Sequence, residues 1–183
     1  MRTLLWLLAP AALIAQVNVP YERIRDAAKE PGNWLTYSRD YTGNRYSPLD
    51  QIHRGNVGKL RIAWMRQVNE LDTFETSPIV VDGTLYISEP PNGVVALDAR
   101  TGRELWHYEW ADKGGHLVGN RGVGMYGDWL YFLAPDGWFI SLEARSGKER
   151  WRKKVARLHG TQLQRMSTRK LLKTRWTVRS AHC

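Results

Sequence analysis

Apolar and aromatic residues in the middle of the chain fall in short runs of three to six, each closed by turn-forming residues. Ser77 to Val81 is followed by Asp82-Gly83, then by Thr84 to Ser88, Val94 to Leu97, Thr101-Gly102 and Glu104 to Glu109. A second series reads Gly122 to Tyr126, Gly127-Asp128, Trp129 to Leu133, Pro135-Asp136-Gly137, Trp138 to Leu142, Ser146-Gly147 and Glu149 to Trp151. An Asp-Gly pair between β-rich runs marks a hairpin, because both residues tolerate the backbone a tight turn needs. The pattern therefore predicts two units of four antiparallel strands.

The two units are copies. VVDGTLYISEPPNGVVALDARTGRELW, Val80 to Trp106, aligns with MYGDWLYFLAPDGWFISLEARSGKERW, Met125 to Trp151, at a constant offset of 45 residues. Asp98 falls on Glu143, Thr101-Gly102 on Ser146-Gly147, Leu85-Tyr86 on Leu130-Tyr131, and Trp106 on Trp151. An all-β period of this size is the mark of a propeller blade. In each copy the acidic residue is placed to bond turn amides, and the glycine permits positive φ. The closing Trp is large and flat enough to fill the gap between neighbouring blades. The fold class is therefore all-β, a partial β-propeller of about two four-stranded blades. A propeller needs at least four blades. Two would leave faces and edges open to aggregation or oligomerisation.

The flanks read differently. Residues 1–15, MRTLLWLLAPAALIA, carry Arg2 and then an apolar run too short to span a bilayer, which fits a secretory signal peptide. Leu13 is a poor match to the small-residue rule for cleavage after Ala15; an N-terminal anchor or buried strand is the alternative. Residues 16–33 read as a linker or short helix. Residues 34–64 are rich in aromatics and turn residues, with one helical turn expected between Pro48 and Val57.

Charge separates the tail from the body. Of 27 Lys and Arg, ten lie in residues 152–183, which contain no Asp or Glu; the body keeps 17 basic against 18 acidic residues. The net charge of +9 thus gives no support for a specific nucleic-acid partner of the body. The tail shows no strand alternation, so the propeller is expected to stop at Trp151, with 34–151 as the blades and 152–183 a basic tail. Such a tail reads as a solvated or disordered segment, a nucleic-acid-binding arm, or a stretch foreign to the fold. Cys183 is the single cysteine, which excludes an intramolecular disulfide and a covalently attached c-type haem.

Three segments carry a family resemblance. The opening has Asn33-Trp34, Gly43, Arg45-Tyr46-Ser47-Pro48-Leu49, Ile52, Asn56-Val57, Leu60 and Trp64. Glu75-Thr76-Ser77-Pro78-Ile79-Val80-Val81-Asp82-Gly83 reads as a first inner strand. The units Ala96–Trp106 and Ser141–Trp151 read as tryptophan-docking motifs. Together they resemble the N-terminal part of the pyrroloquinoline quinone (PQQ)-dependent alcohol dehydrogenases, eight-bladed quinoproteins. The resemblance implies an exported, periplasmic oxidoreductase that oxidises primary alcohols to aldehydes. It further implies PQQ with a Ca2+ or lanthanide ion as cofactors and a cytochrome c as electron acceptor. Glu75 matches a cofactor-contacting glutamate and Arg121 an arginine beside the quinone oxygens, where a fixed cation stabilises negative charge.

The chain also departs from that family. Gly115 and His116 stand where much of it carries adjacent cysteines packed on PQQ. The metal-binding acid and amide and the aspartate base belong to later blades, so no catalytic or metal-ligating residue is assigned here. The expectation is a truncated quinoprotein, inactive alone. A non-catalytic propeller-repeat scaffold of the outer-membrane assembly type is the alternative, since the docking motif occurs in such proteins too.

Overall fold

The computed structural model describes residues 17–68, 74–90, 92–111 and 120–156. Among the described residues, eight strands form two separate four-stranded antiparallel sheets. The first comprises β1 Ile79–Val81, β2 Thr84–Glu89, β3 Gly93–Asp98 and β4 Glu104–Glu109; the second β5 Gly124–Tyr126, β6 Trp129–Leu133, β7 Trp138–Glu143 and β8 Glu149–Lys154. Each sheet is a meander in chain order. Ala96 faces Trp106 and Ser141 faces Trp151, and both ladders carry a bulge one step later, after Ala96 and after Ser141. The 45-residue repeat of the sequence is thus a repeat of register as well.

Turn chemistry explains the hairpins. Asp82 and Gly83 both take positive φ, 49° and 81°, which a type I′ turn demands. In the second unit the order is reversed, and Gly127 takes the positive φ that a type II′ turn places first. In the third connection Asp98 Oδ1 accepts the amides of Arg100 and Thr101 at 3.1 and 2.9 Å and the Thr101 hydroxyl at 2.9 Å. These bonds hold the Asp98 carboxyl below its usual range, the Thr101 hydroxyl contributing most. In the second copy the longer Glu143 reaches the Ser146 hydroxyl instead.

The two sheets are joined by tryptophan. Trp106 leaves β4 and donates from Nε1 to the carbonyl of Ala144 at 3.0 Å. Its ring lies against Gly147, where a Cβ would stand 2.7 Å from Cδ2. Gly147 also has φ of 70°, so both space and backbone require glycine. The same contact occurs one unit earlier. Trp64 donates to the Ala99 carbonyl at 3.2 Å and covers Gly102, where a Cβ would come within 2.5 Å of Cδ2. The seam beneath Trp106 is the main core: Tyr86, Val94 and Ala96 of the first unit meet Met125, Leu130, Ile140 and Leu142 of the second.

The N-terminal segment, expected as a linker or short helix, contains a short helix and belongs to this core. Val19 bridges Gly127 of the second unit, and Trp34 bridges Val80 of the first. Between them α1, Tyr21–Arg25, and a 3₁₀ turn bury Ile24 and Ala27, and Leu35 follows. Arg23 bonds Glu30 at 2.6 Å and Asp82 at 2.8 Å, and Asn33 Oδ1 accepts the Asp82 amide at 2.9 Å, which pins the segment to the first hairpin. A handful of apolar residues without regular spacing gives no periodic signal, so only packing reveals their role. The expected turn between Pro48 and Val57 lies slightly later, as a 3₁₀ turn at Val57–Lys59.

One boundary is corrected. Strand β8 does not stop at Trp151 but continues through Arg152, Lys153 and Lys154, each paired to β7. β7 is long enough to supply partners. Two of the basic side chains lie over aromatic rings, Arg152 Cζ 5.2 Å from the Trp110 centroid and Lys154 Nζ 5.4 Å from that of Trp138. Charge on an exposed edge strand also discourages edge-to-edge pairing. Residues 1–15, expected as a leader, and the tail beyond Ala156 lie outside the described residues.

Two outcomes follow. Trp106→Ala should lower stability to urea by about 3–5 kcal/mol and Gly147→Ala by about 1–3 kcal/mol. Trp151→Ala, equivalent by repeat but uncovered, should cost less than about 1 kcal/mol in dilute protein. Equal losses at Trp106 and Trp151 would refute the seam as the stabilising element. The second concerns pH. Arg23 holds the Glu30 and Asp82 carboxyls below their usual range, chiefly by hydrogen bonds. That stabilisation is present above the unfolded carboxyl pKa of about 4 and is lost as pH falls through the depressed folded values. Arg23→Met should therefore be less stable than the native chain at neutral pH. The gap should close below about pH 4 as both carboxyls protonate, as read from urea midpoints at each pH.

Candidate functional site

The two residues singled out by sequence, Glu75 and Arg121, precede β1 and β5, the first strands of successive units. They stand 46 positions apart in sequence, with the whole first sheet between them, yet the repeat brings the two lead-in segments side by side. The Ser77 amide donates to the Arg121 carbonyl at 3.0 Å. Gly122, at φ of 117°, lets the Ser77 carbonyl approach so closely that a Cβ there would stand 2.6 Å from it. Arg121 Nε lies 3.6 Å from Glu75 Oε2, with side chains 73% and 42% exposed. This is a loose, solvated ion pair, too long for a strong charge-assisted hydrogen bond.

Behind the pair the backbone is firmly held. The buried Ser88 hydroxyl donates to the Asn120 carbonyl at 3.1 Å, and its amide donates to Thr76 Oγ1 at 3.0 Å. Asn120 Oδ1 accepts the Gly122 amide at 2.9 Å while its Nδ2 donates to the Leu133 carbonyl at 2.6 Å. Residues on both sides of Arg121, and the residue after Glu75, are thus fixed by hydrogen bonds from two sheets. The side chains are presented by rigid backbone and remain exposed to what arrives.

Two clefts open on these lead-in segments, one lined by Arg121 and the other by Ser77. One of about 600 Å³ is lined by Asn120, Arg121, Gly122, Tyr131, Leu133 and Phe139 among others, with the Tyr131 and Phe139 rings stacked at 5.9 Å. The other, about 390 Å³, is lined by Trp34, Tyr37, Arg45, Ser77, Pro78 and Val80. There Arg45 lies 4.8 Å over the Tyr37 ring. The Ser77 hydroxyl, and then Arg45, hold the Tyr37 phenol below its ordinary range. Arg45 adopts φ of 50°, a conformation uncommon for a side-chain-bearing residue, which aims it back across Tyr37. A flat aromatic wall beside Arg121 and a second guanidinium beyond Ser77 suit a planar, anionic ligand.

Sequence reasoning brought Glu75 and Arg121 forward and missed the residues that hold them. Arg45 was visible within the opening segment without a role. Asn120 carried a signal, an Asn two residues before a Gly, which favours a side-chain-to-backbone turn. Tyr37 carried none. Gly115 and His116 lie outside the described residues. Among the described residues no group of three or more His, Cys, Asp or Glu is placed to hold a metal ion. No helix among them is long and apolar enough to cross a membrane.

Comparison with known proteins identifies the fold and the family. Residues 34–128, more than half of the chain, match the PQQ family model described as glucose/ethanol/alcohol dehydrogenase, beta-propeller domain. The quinohemoprotein alcohol dehydrogenase ADH-IIG of Pseudomonas putida is 47% identical over 108 residues, 58% of this chain and 15% of its own length. The dehydrogenase subunit of a quinone alcohol dehydrogenase from Gluconacetobacter polyoxogenes is 42% identical over 117 residues, 61% of this chain and 16% of its own. Among solved structures, the quinohemoprotein alcohol dehydrogenase ADHIIG from Pseudomonas putida HK5 superposes with a TM-score of 0.72 at 37% identity, over 79% of this chain and 22% of that one. A europium-containing methanol dehydrogenase superposes at 0.68 with 34% identity, over 74% of this chain and 25% of that one. The chain therefore spans about a sixth of the length of the curated relatives it matches. It belongs to the PQQ glucose/ethanol/alcohol dehydrogenase β-propeller family.

Proposed function

We propose that this chain forms one edge of the cofactor site of a periplasmic PQQ-dependent alcohol dehydrogenase acting on primary alcohols. The observation that carries the reading is the convergence of Glu75 and Arg121, from successive units, at 3.6 Å beside an aromatic-walled cleft. When bound, PQQ supplies the two-electron acceptor for oxidation of a primary alcohol to an aldehyde, and a cytochrome c takes the electrons onward. Arg121 would donate toward the quinone oxygens and would offset negative charge there on reduction. Glu75 lies 3.6 Å from Arg121 Nε and balances its charge while no ligand is bound. Ser77, Gly122 and Asn120 position both residues through the backbone. The Trp64 and Trp106 contacts support reading the repeated units as the family's tryptophan-docking motifs.

The fit is partial. The planar anion is matched by Arg121 and the aromatic wall. The Ca2+ or lanthanide ion has no ligand set among the described residues. The loose pair also stays wet, and in water-like surroundings each polar contact to a ligand is weak. On this reading the 183-residue chain alone binds PQQ weakly and does not turn over alcohol. Export by the 1–15 leader places it where a cytochrome c acceptor works.

The test is a titration of the purified chain with PQQ, followed by quenching of tryptophan fluorescence, with and without Ca2+. Weak, Ca2+-independent binding is expected, reduced at least about tenfold, some 1.4 kcal/mol, by Arg121→Ala. Because Arg121 is exposed, that variant should keep its urea midpoint within about 0.5 kcal/mol. Dye-linked ethanol oxidation should be absent. Binding indifferent to Arg121→Ala and Glu75→Gln would remove the site assignment, and turnover by the chain alone would overturn the partial-site reading.

A further inference from the structure

Residues 45 positions apart in the two units hold the same place in the fold, so the outer edge strands β4 and β8 can be compared residue by residue. Their charges differ. Glu104–Glu109 holds two glutamates and no Lys or Arg, a charge of −2. Glu149–Lys154 holds Arg150, Arg152, Lys153 and Lys154 against Glu149, four less one, or +3. The fold therefore does not demand cations on this edge. Protection from edge-to-edge pairing is served by charge of either sign.

The first unit also shows which of these cations stay accessible when another unit lies alongside. Trp106 and Tyr108, the counterparts of Trp151 and Lys153, are half-buried against the second unit. Leu105, His107 and Glu109, the counterparts of Arg150, Arg152 and Lys154, remain exposed on the covered unit. The exposure of Arg150, Arg152 and Lys154 thus belongs to the outer edge itself.

These three residues form a row at alternate positions, about 7 Å apart along the strand. Each is seated on an indole: Arg150 Cζ lies 4.1 Å from the Trp129 centroid, Arg152 Cζ 5.2 Å from Trp110 and Lys154 Nζ 5.4 Å from Trp138. The rings are half-buried and the cations exposed. Nearby carboxylates are engaged elsewhere. Glu149 accepts the Tyr108 hydroxyl at 2.7 Å and lies only 3.5 Å from Arg152, the one ion pair of β8 among the described residues. Asp136 accepts Trp110 Nε1 at 3.2 Å, and Lys154 meets its backbone carbonyl instead of its carboxylate. None of the three cations lines either cleft described above.

Cations over indoles along one exposed edge suit a bilayer interface. There guanidinium and ammonium groups reach lipid phosphates while indoles rest at headgroup depth. A single-stranded nucleic acid would need open aromatic faces for its bases, and here a cation already lies over each ring. Beyond Ala156 the sequence adds seven Lys and Arg and no Asp or Glu, so the excess of positive charge continues past the strand.

We propose that Arg150, Arg152 and Lys154 dock the outer edge of the second unit on an anionic phospholipid surface. The attraction is chiefly electrostatic and so falls as salt rises. It is independent of any cofactor and of the Glu75–Arg121 pair.

Co-sedimentation of the full chain with vesicles tests this, using phosphatidylcholine alone and an equal mixture with phosphatidylglycerol. Circular dichroism confirms the fold of each variant. Salt-sensitive binding to the mixed vesicles alone is expected. Replacing Arg150, Arg152 and Lys154 together by Gln should lower vesicle affinity at least about tenfold. Removing the same charge from the tail, by Arg169→Gln, Lys170→Gln and Arg175→Gln, should lower it less. Arg150→Lys with Arg152→Lys, which keeps the charge, should retain binding. Equal binding to both kinds of vesicle overturns the proposal. So does a loss in the strand variant no larger than that in the tail variant. Tighter binding to a duplex oligonucleotide than to the mixed vesicles at equal salt, lost with the same three residues, would also overturn it and assign the edge to a nucleic-acid backbone.

Discussion

Everything in this molecule hangs on a tryptophan lying flat against a glycine in the next repeat. A four-stranded sheet of about 30 residues cannot bury enough apolar area to stand alone. Trp106 solves this by carrying the apolar face of one unit onto the next, and its indole N–H finds the Ala144 carbonyl so that no buried donor is left unpaired. The turn that receives it must be glycine for two separate reasons, space and positive φ. The seam is consequently specific in register: a slip of one residue would put Trp106 on the opposite face of β4.

The N-terminal segment adds a second clamp across the same seam. By touching Val80 through Trp34 and Gly127 through Val19, it ties the inner edges of both units with four backbone hydrogen bonds. The Arg23, Glu30, Asn33 and Asp82 cluster keeps the segment in place at the surface, where each ion pair is worth little alone but the shared guanidinium makes a network. Inner edges that would otherwise be open strands are thereby capped.

That clamp and the tryptophan seam together explain why Glu75 and Arg121 meet. They sit on the lead-in segments of consecutive units, so the distance between them is set by the spacing of the units and not by any local contact. Ser77 and Gly122 lock that spacing at the backbone. The side chains are left exposed and loosely paired. A site built at a seam gains precision from the scaffold. It stays incomplete for any group whose partners belong to another seam.

The periodic part of the fold was legible in the chain itself. Strand positions, the Asp82-Gly83 hairpin, the Asp98 turn and the equivalence of Trp106 and Trp151 all follow from residues whose local chemistry admits few conformations, repeated at a constant spacing. Glu75 and Arg121 were legible through resemblance, because a motif preserves residue identity even where no local pattern marks it. What only the tertiary structure decided is everything that depends on non-local packing. Val19, Ile24 and Ala27 became core because two sheets happen to leave a groove their length. Arg152 to Lys154 became strand because β7 offered partners and the charged ends of Arg152 and Lys154 found the Trp110 and Trp138 rings, against a composition that signalled a solvated tail. Tyr37, Arg45 and Asn120 joined the site because chain segments far apart in sequence converge on Ser77 and Arg121. Local propensity is written residue by residue; proximity between distant residues exists only once the seam has formed.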